Sequence, residues 1–260
     1  MLRTFAAVAF VVLAVSTLPA QDGKKATLRW YGQSFFVLET PSGKRIAFDP
    51  HAIAEFGRPI VKADIVTCSH YHGDHTQTEQ IENAKAARIF QGLKPSAKKG
   101  RPPEWNTIDE KVGQVRVRTV PSFHDPDGGM TRGRNAIFVI EADGLTVCHM
   151  GDIGHDLAPE TVKAIGPVDV LMIPVGGIYT INGEQARKAV AKIKPRLFAL
   201  PMHYGVPGYD ELLPADEFVD GVRNVKKMPD TNELVIPLDA KPADGPTFVL
   251  LGYEKKDDKK

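Results

Sequence analysis

The chain alternates short apolar runs with clusters of glycine, proline and charged residues. Most of these runs are rich in β-branched and aromatic residues and too short for helices, which is typical of β-strands. The predicted strands cover residues 26–31, 34–39, 44–48, 64–69, 87–91, 115–120, 135–141, 145–148, 168–175, 196–200, 234–236 and 247–252. Pro41–Gly43 predicts a turn, and Ala142–Gly144 predicts a tight hairpin between two strands.

A few segments instead carry the spacing and end signals of helices. The predicted helices cover residues 76–88, 159–166, 182–193 and 214–225. In the first, Thr76 and Glu79 form a T-x-x-E capping box, and Ile81 begins a helical apolar spacing. In the third, Asn182 is a good N-cap, and Pro195 follows the predicted end. We find no internal repeat and no sign of a second domain.

The segment Leu93–Glu104 is rich in lysine, proline and glycine, and it predicts a loop. One interpretation is a cationic lid that overhangs a functional site. The other is a solvated surface insertion, and the composition favours this second interpretation.

The first 20 residues predict an export signal. Arg3 supplies positive charge, Phe5–Val15 is apolar, and small residues lead to a cleavage position near Ala20. The apolar run is shorter than the ~20 residues of a membrane span, so an uncleaved N-terminal anchor is the less favoured alternative. We therefore expect a periplasmic or secreted protein without a stable membrane span. Residues 254–260 predict a charged disordered tail, which leaves one domain over residues 21–253.

Charge and cysteine content narrow the function classes. The chain has 33 basic and 32 acidic residues in 260, and this neutrality argues against nucleic-acid binding. A small-molecule or lipid-like substrate fits better, and the sequence does not indicate an oligomeric state. Cys68 and Cys148 both lie in apolar strand runs, so we expect buried thiols rather than the disulfide that export would permit.

The densest chemistry lies in the hexapeptide His70–His75, which reads H-x-H-x-D-H. Alternation along an extended chain puts His70 and His72 on one side, where both can reach one ion. Asp74 and His75 follow at the expected turn and can face a second ion. Burying so many polar groups is costly unless they are paired, and a metal site explains their presence.

Three further residues follow predicted strands in the same way: His124, Asp152 and His203. With the hexapeptide, their order resembles that of the metallo-β-lactamase superfamily, which carries H-x-H-x-D-H followed by a His, an Asp and a His. The resemblance spans about residues 26–252. It implies an α/β (α+β) protein with a four-layer αββα sandwich and a site at one edge of the sheets. Ile173–Thr180 and Leu200–Gly205 resemble the branch that contains ascorbate-6-phosphate lactonase-like proteins.

The resemblance also implies roles for these residues. The first ion would be held by His70, His72 and His124, the second by Asp74, His75 and His203, and both by Asp152. Zinc is the expected metal, with manganese or iron as alternatives. Asp74 would also be the catalytic residue that orients a metal-bridging hydroxide. Asp49 matches an aspartate that supports the ligands, although an Asp-Pro turn is an equally good interpretation.

Candidate substrate contacts are less specific. Arg132, Arg134 and Asn135 lie in or next to a glycine-rich segment after His124, where guanidinium groups could bind phosphate or carboxylate. Tyr204 follows His203 and could donate a hydrogen bond to an oxyanion. A solvated loop and aromatic packing, respectively, are the alternatives.

The resulting hypothesis is an exported dinuclear hydrolase that acts on a lactone, ester or phosphodiester. Aspartate rather than cysteine or serine at position 152 makes β-lactam hydrolysis a poor fit to the resemblance. One alternative is a mononuclear iron oxidoreductase resembling persulfide dioxygenases, and another is a phospholipase-D-like phosphodiesterase. A non-catalytic metal-binding or lipid-binding protein is a third class, but it would have no use for Asp74.

Overall fold

The computed structural model describes residues 24–241 and 243–253 of the chain. The predicted export signal at residues 1–20 and the predicted tail at residues 254–260 lie outside the described residues. Both therefore stay predictions, together with the domain bounds that depend on them.

The described residues form sixteen strands. In the first half of the chain they are β1 (Lys25–Trp30), β2 (Phe36–Glu39), β3 (Arg45–Phe48), β4 (Ile65–Cys68), β5 (Arg88–Gln91), β6 (Leu93–Lys94), β7 (Glu104–Trp105), β8 (Asp109–Val112) and β9 (Val115–Phe123). In the second half they are β10 (Arg134–Ala142), β11 (Leu145–His149), β12 (Val170–Pro174), β13 (Phe198–Met202), β14 (Val225–Met228), β15 (Glu233–Pro237) and β16 (Thr247–Leu251).

Two large sheets contain most of these strands. The six-stranded sheet has the order β15-β1-β2-β3-β4-β5, and β3, β4 and β5 are parallel. The eight-stranded sheet has the order β14-β16-β13-β12-β11-β10-β9-β8. Its neighbours from β14 to β11 pair in parallel, whereas β11, β10, β9 and β8 form antiparallel hairpins. β6 and β7 pair separately, so the predicted loop at Leu93–Glu104 is closed by a short ribbon at its ends.

Alternation along the strands creates two apolar layers. Phe36, Leu38, Ile46 and Phe48 point into the core between the sheets, where they join residues of the eight-stranded sheet such as Phe138. A second apolar cluster covers the outer face of the six-stranded sheet and contains Val37, Ala47, Val66, Cys68 and Ile81. The predicted sandwich is therefore present, and its outermost layer beside the six-stranded sheet is built from irregular segments.

Helices cover the other side of the sandwich. They are α1 (Pro159–Ile165), α2 (Gly183–Ile193) and α3 (Asp216–Val219), of which α1 contacts β9 and α2 contacts β12. The capping box of α2 forms as the sequence indicates. The Asn182 side chain accepts a hydrogen bond from the Gln185 N–H, and the Gln185 side chain accepts one from the Asn182 N–H. Among the described residues, no helix is long and apolar enough to cross a membrane.

The predicted helix at residues 76–88 is wrong. Only a 3₁₀ turn forms, at Thr78–Gln80, and Thr76 donates to the His72 carbonyl instead of capping a helix. Ile81 is extended because it forms a β-bridge with Val61. The Asn83 side chain adds hydrogen bonds to the backbone of Ala63. These tertiary bonds outweigh a weak local helical preference.

The predicted helix at residues 214–225 is mostly wrong as well. It is reduced to the single turn of α3, and Gly221 follows in a left-handed conformation. Val225 then begins β14, which pairs in parallel with β16. Pairing with an available sheet edge again prevails over the local apolar spacing.

The cysteine prediction is confirmed. Cys68 and Cys148 are both buried and unbonded. Burial raises the pKa of each thiol, so both behave as small apolar side chains.

We expect Asn182→Ala to lower the free energy of unfolding by about 1 kcal/mol, because the first turn of α2 loses its cap. Urea denaturation followed by circular dichroism measures this change. Lys188→Ala on the exposed face of the same helix is the control and should have a smaller effect. Equal effects of the two substitutions would contradict a specific role for the cap.

Candidate metal centre

The candidate ligands lie at one edge of the sandwich because several strands end there. The hexapeptide follows β4, His124 follows β9, and His203 follows β13. Asp152 comes three residues after β11. β11, β12 and β13 are parallel, so their carboxyl ends meet at the same edge. This edge collects residues that are far apart in the sequence.

Among the described residues, two groups of three side chains that share no member form there. His70, His72 and His124 make up one group, and Asp74, His75 and His203 make up the other. In each group the three ligand atoms lie within 4.8 Å of one another. The two groups are the same sets that the resemblance implied for two ions.

Asp152 lies between the two groups. Its Oδ2 is 3.1 Å from His75 Nε2, 3.2 Å from His124 Nε2 and 3.0 Å from His203 Nε2. The same oxygen is 3.9 Å from His70 Nε2. Ligand atoms at ~2.0–2.2 Å from a tetrahedral ion are about 3.4 Å apart, so this crowding suits metal coordination.

Burial and charge set the protonation of these groups. Burial and the neighbouring His75 both lower the pKa of His70, so its ring is neutral and can offer a lone pair. Burial alone would raise the pKa of Asp152, but His203 and His75 outweigh it and lower the pKa. Burial would lower the pKa of His75, but Asp152 and Asp74 outweigh it and raise the pKa. A buried anion among imidazoles is a favourable position for a cation.

Asp49 supports two ligands from behind. Its carboxylate accepts hydrogen bonds from the Ser69 N–H and hydroxyl and from His75 Nδ1. Because the Ser69 hydrogen points to Asp49, the Ser69 oxygen must accept from His70 Nδ1, which is 2.9 Å away. Both His70 and His75 therefore have a proton on Nδ1 and direct Nε2 toward the site. Asp49, His70 and His75 also lie close enough together to form a third ligand group. The Asp49 oxygens, however, already accept hydrogen bonds from Ser69 and His75.

Gln33 is a site residue that the sequence analysis missed. Its Nε2 donates to Asp74 Oδ2 over 2.8 Å, and its backbone carbonyl accepts from the His203 N–H. The residue is buried and its backbone has φ 48°, a conformation that residues other than glycine rarely adopt. No sequence motif marks it, since it lies in the loop between two ordinary strands.

Asn135 acts on the backbone of the Asp152 loop. Its Oδ1 accepts from the Asp152 N–H, and its Nδ2 donates to the Met150 carbonyl and to Ser122. Gly151 makes this close approach possible, because a Cβ there would lie 2.3 Å from Asn135 Oδ1. The polar atoms of Asn135 are thus engaged within the protein rather than directed at a substrate.

The other candidate substrate residues differ in position. Arg132 lines a cavity of about 480 Å³ above the ligands. Arg134 instead donates to the Pro103 carbonyl, and its guanidinium lies over Trp105. Tyr204 is buried and stacks on the Trp30 ring at 5.1 Å. Of the four candidates, only Arg132 lines the cavity.

Most of the candidate metal ligands line this cavity. It is lined by His72, Asp74, His124, Asp152 and His203 together with Gln33, Ile53, Arg132, Tyr179, Tyr209 and Glu211. No residue of Leu93–Glu104 lines it, which agrees with a solvated insertion. A larger depression of about 590 Å³ near the β10–β11 turn contains none of the candidate ligands.

Three histidines outside the two groups have both ring nitrogens occupied. His51 contacts the carbonyls of Tyr31 and Gly32 through Nε2 and accepts from the Ile53 N–H through Nδ1. His149 and His155 are engaged by backbone groups in the same manner. They have structural roles in the loops.

The donor set fits a divalent ion. Five imidazoles and two carboxylates offer the nitrogen and oxygen ligands that zinc, manganese and iron accept. His75 Nε2 is buried without a hydrogen-bond partner in the described chain, although Asp152 and Asp74 oxygens lie within 3.3 Å. A metal ion bound by this nitrogen and by both carboxylates would explain why the nitrogen faces them without a hydrogen bond.

Comparison with known proteins gives the family. A sequence profile described as a beta-lactamase superfamily domain matches residues 27–203. A UPF0173 metal-dependent hydrolase of Pyrococcus furiosus is 30% identical over 190 residues, which cover 66% of this chain and 82% of that protein. The chain belongs to the metallo-β-lactamase superfamily.

One solved structure of the superfamily agrees with this assignment, and a second structure shares the fold. A Thermotoga maritima protein described as a Zn-dependent hydrolase of the superfamily is similar, with 31% identity, a TM-score of 0.63, and coverage of 86% of this chain and 98% of that one. Igni18, a metallo hydrolase from Ignicoccus hospitalis, has 24% identity and a TM-score of 0.60, and it shares the fold over 82% of this chain and 98% of its own. The predicted superfamily and fold are confirmed, while the ascorbate-6-phosphate lactonase-like branch stays a prediction.

Removing the support of Asp49 should weaken metal binding. We expect Asp49→Asn to lower the affinity for a divalent ion about 10–100-fold, because His70 and His75 lose their fixed tautomers. Competition with a chromogenic chelator measures the change.

Asp64→Asn is the matched control, since Asp64 also accepts a backbone N–H but lies at the other end of β4. We expect it to change the affinity less than about threefold. Unchanged metal affinity in Asp49→Asn, or an equal loss in both variants, would contradict the role of Asp49.

Proposed function

We propose that the protein is a metal-dependent hydrolase with two divalent ions, most simply zinc. The observation that carries the proposal is the placement of two three-residue ligand groups on either side of the Asp152 carboxylate. Bound divalent ions would lower the pKa of a water toward ~7 and polarise a carbonyl or phosphoryl oxygen. The likeness to proteins named metal-dependent hydrolases supports the same reaction class.

The candidate ligands would have different roles in metal binding and catalysis. His70, His72 and His124 would hold one ion, and His75 and His203 would hold the other with Asp74. Asp74 is the candidate catalytic residue, because it lines the cavity and can orient an attacking water. Burial would raise its pKa, but His75 and the Gln33 amide outweigh burial and lower the pKa, so Asp74 stays ionised at neutral pH.

The substrate is proposed to be a lactone, ester or phosphodiester. Arg132 supplies a cation within the cavity, which suits an anionic group near the bond to be cleaved. A lactonase-like activity and a phospholipase-D-like activity both fit this arrangement. Export to the periplasm or the medium is part of the proposal and rests on the sequence of residues 1–20.

The proposal predicts about two ions per chain in the reconstituted protein, measured by elemental analysis. Activity on a panel of chromogenic esters, lactones and phosphodiesters should disappear with a chelator and return with metal. Asp74→Asn should lower kcat/KM about 10²–10⁴-fold, because the attacking water loses the carboxylate that orients it.

Two results would contradict this hydrolase. Full activity in Asp74→Asn would show that the mechanism does not use this carboxylate. A single iron per chain, with oxygen consumption in the presence of a persulfide, would instead support the iron oxidoreductase.

Gln33 should act on metal binding through Asp74. We expect Gln33→Met to weaken binding of one ion about tenfold, because Asp74 loses a charge-assisted hydrogen bond. In an Asp74→Asn background the same substitution should change the affinity less than about threefold. Isothermal titration calorimetry with the metal measures all four proteins of this cycle.

Gln77→Met is the matched control, since the Gln77 amide donates to the Gly73 carbonyl in the same loop without touching Asp74. It should leave the affinity unchanged. An equal loss from Gln33→Met in both backgrounds would show that Gln33 does not act through Asp74.

A further inference from the structure

Large exposed apolar side chains are few among the described residues, and some of them lie beside the metal cavity. Among the described residues they are Ile60, Tyr71, Met130, Ile178, Tyr179, Leu213 and Val235. Tyr179 lines the metal cavity, and Ile178 is its neighbour. Leu213 packs beside Gly177, and Met130 lies two residues before Arg132. We call Met130, Ile178, Tyr179 and Leu213 the apolar rim.

The rim is held in place by backbone hydrogen bonds. The Leu213 N–H donates to the Gly176 carbonyl, which ties the loop after β13 to the loop after β12. The loop with Met130 and Arg132 is organised by the buried Asp125 carboxylate. This carboxylate accepts from the backbone N–H groups of residues 127, 129, 131 and 132. The exposed side chains are thus presented by preformed loops.

Arg132 joins the rim to the cavity. Its guanidinium lies 5.5 Å from the Tyr179 ring centre and donates to the Ile178 carbonyl. It forms no ion pair with a carboxylate of residues 24–241 or 243–253. A guanidinium that lines a cavity and makes no ion pair with a protein carboxylate can bind an anionic ligand.

We infer that the substrate is a small amphiphile, with one anionic group beside Arg132 and a hydrocarbon chain along the apolar rim. The inference rests on the proposed function, since it places the bond to be cleaved at the metal site. Glu211 also lines the cavity, so the substrate carries its negative charge at one end rather than throughout. The apolar rim would take the chain out of water at a gain of about fourfold in affinity per fully buried methylene.

The size of the rim favours a small molecule over a protein. A specific protein interface uses about 20–30 residues on each side, whereas the rim contains only a few side chains. It is also continuous with the cavity through Tyr179, a residue that lines the cavity and is about half exposed. An apolar surface that continues from a reactive cavity is typical of a ligand groove.

Saturated carboxylates of increasing length test the inference. Isothermal titration calorimetry on the metal-reconstituted protein compares butanoate with octanoate, both below their critical micelle concentrations. We expect octanoate to bind at least about tenfold more tightly, because part of its chain is buried. Octanol, which lacks the charge, should bind more weakly than octanoate.

Substitutions distinguish the contribution of the ligand's hydrocarbon chain to affinity from that of its carboxylate. The double variant Ile178→Ser/Leu213→Ser should reduce the octanoate-to-butanoate affinity ratio below about threefold and leave butanoate binding unchanged. Arg132→Gln should weaken both carboxylates and preserve the ratio. Ile60→Ser/Val235→Ser removes two exposed apolar side chains outside the rim, and this matched control should preserve both affinities.

The outcomes are distinct. Equal affinities for butanoate and octanoate, or a length dependence that survives Ile178→Ser/Leu213→Ser, would overturn the inference. So would rim-dependent binding to phosphatidylglycerol vesicles without a preference for longer soluble carboxylates, since the rim would then contact a membrane. Metal content and hydrolysis of short acetate esters test the proposed hydrolase separately, and neither depends on the rim.

Discussion

The orientation of the candidate metal ligands depends on the buried carboxylate of Asp49 and on the hydrogen bonds that it accepts. Asp49 is fully buried and accepts from Ser69 and from His75. Through Ser69 it also fixes the proton of His70. An imidazole binds an ion only through an unprotonated nitrogen. By engaging Nδ1, this network decides that Nε2 of each ring is the nitrogen that faces the ion. The orientation of both rings is therefore set by the protein's own hydrogen bonds.

The fold supplies this network by ending strands together. β3 and β4 are parallel, so Asp49 and Ser69 lie side by side just past their ends. The chain then leaves the sheets through unusual backbone conformations, and Gln33, Asp49 and His203 all have positive φ. Such conformations cost free energy and persist where the surrounding contacts determine them. Their concentration here indicates that geometry at this edge takes precedence over local backbone preference.

Much of this arrangement could be predicted from the sequence. Strand positions follow from hydrophobic alternation, and the candidate ligands follow from their places after strands. Gln33, Ser69 and Asp125 could not be identified in this way, because their roles depend on contacts with residues distant in sequence. The helices at residues 76–88 and 214–225 failed for a related reason, since bridges and sheet edges supplied better partners than helical hydrogen bonds. Arg134 and Tyr204 likewise have the right residue type beside the site, yet they face Trp105 and Trp30.

The two buried thiols have a consequence for studying the motions of this protein. Cys148 lies in the core between the sheets, whereas Cys68 lies under the irregular cover of the six-stranded sheet. A thiol reagent can reach either one only when its layer opens. The native chain therefore carries two natural reporters, one for each layer. Their relative labelling rates would reveal whether the irregular cover opens before the sandwich itself.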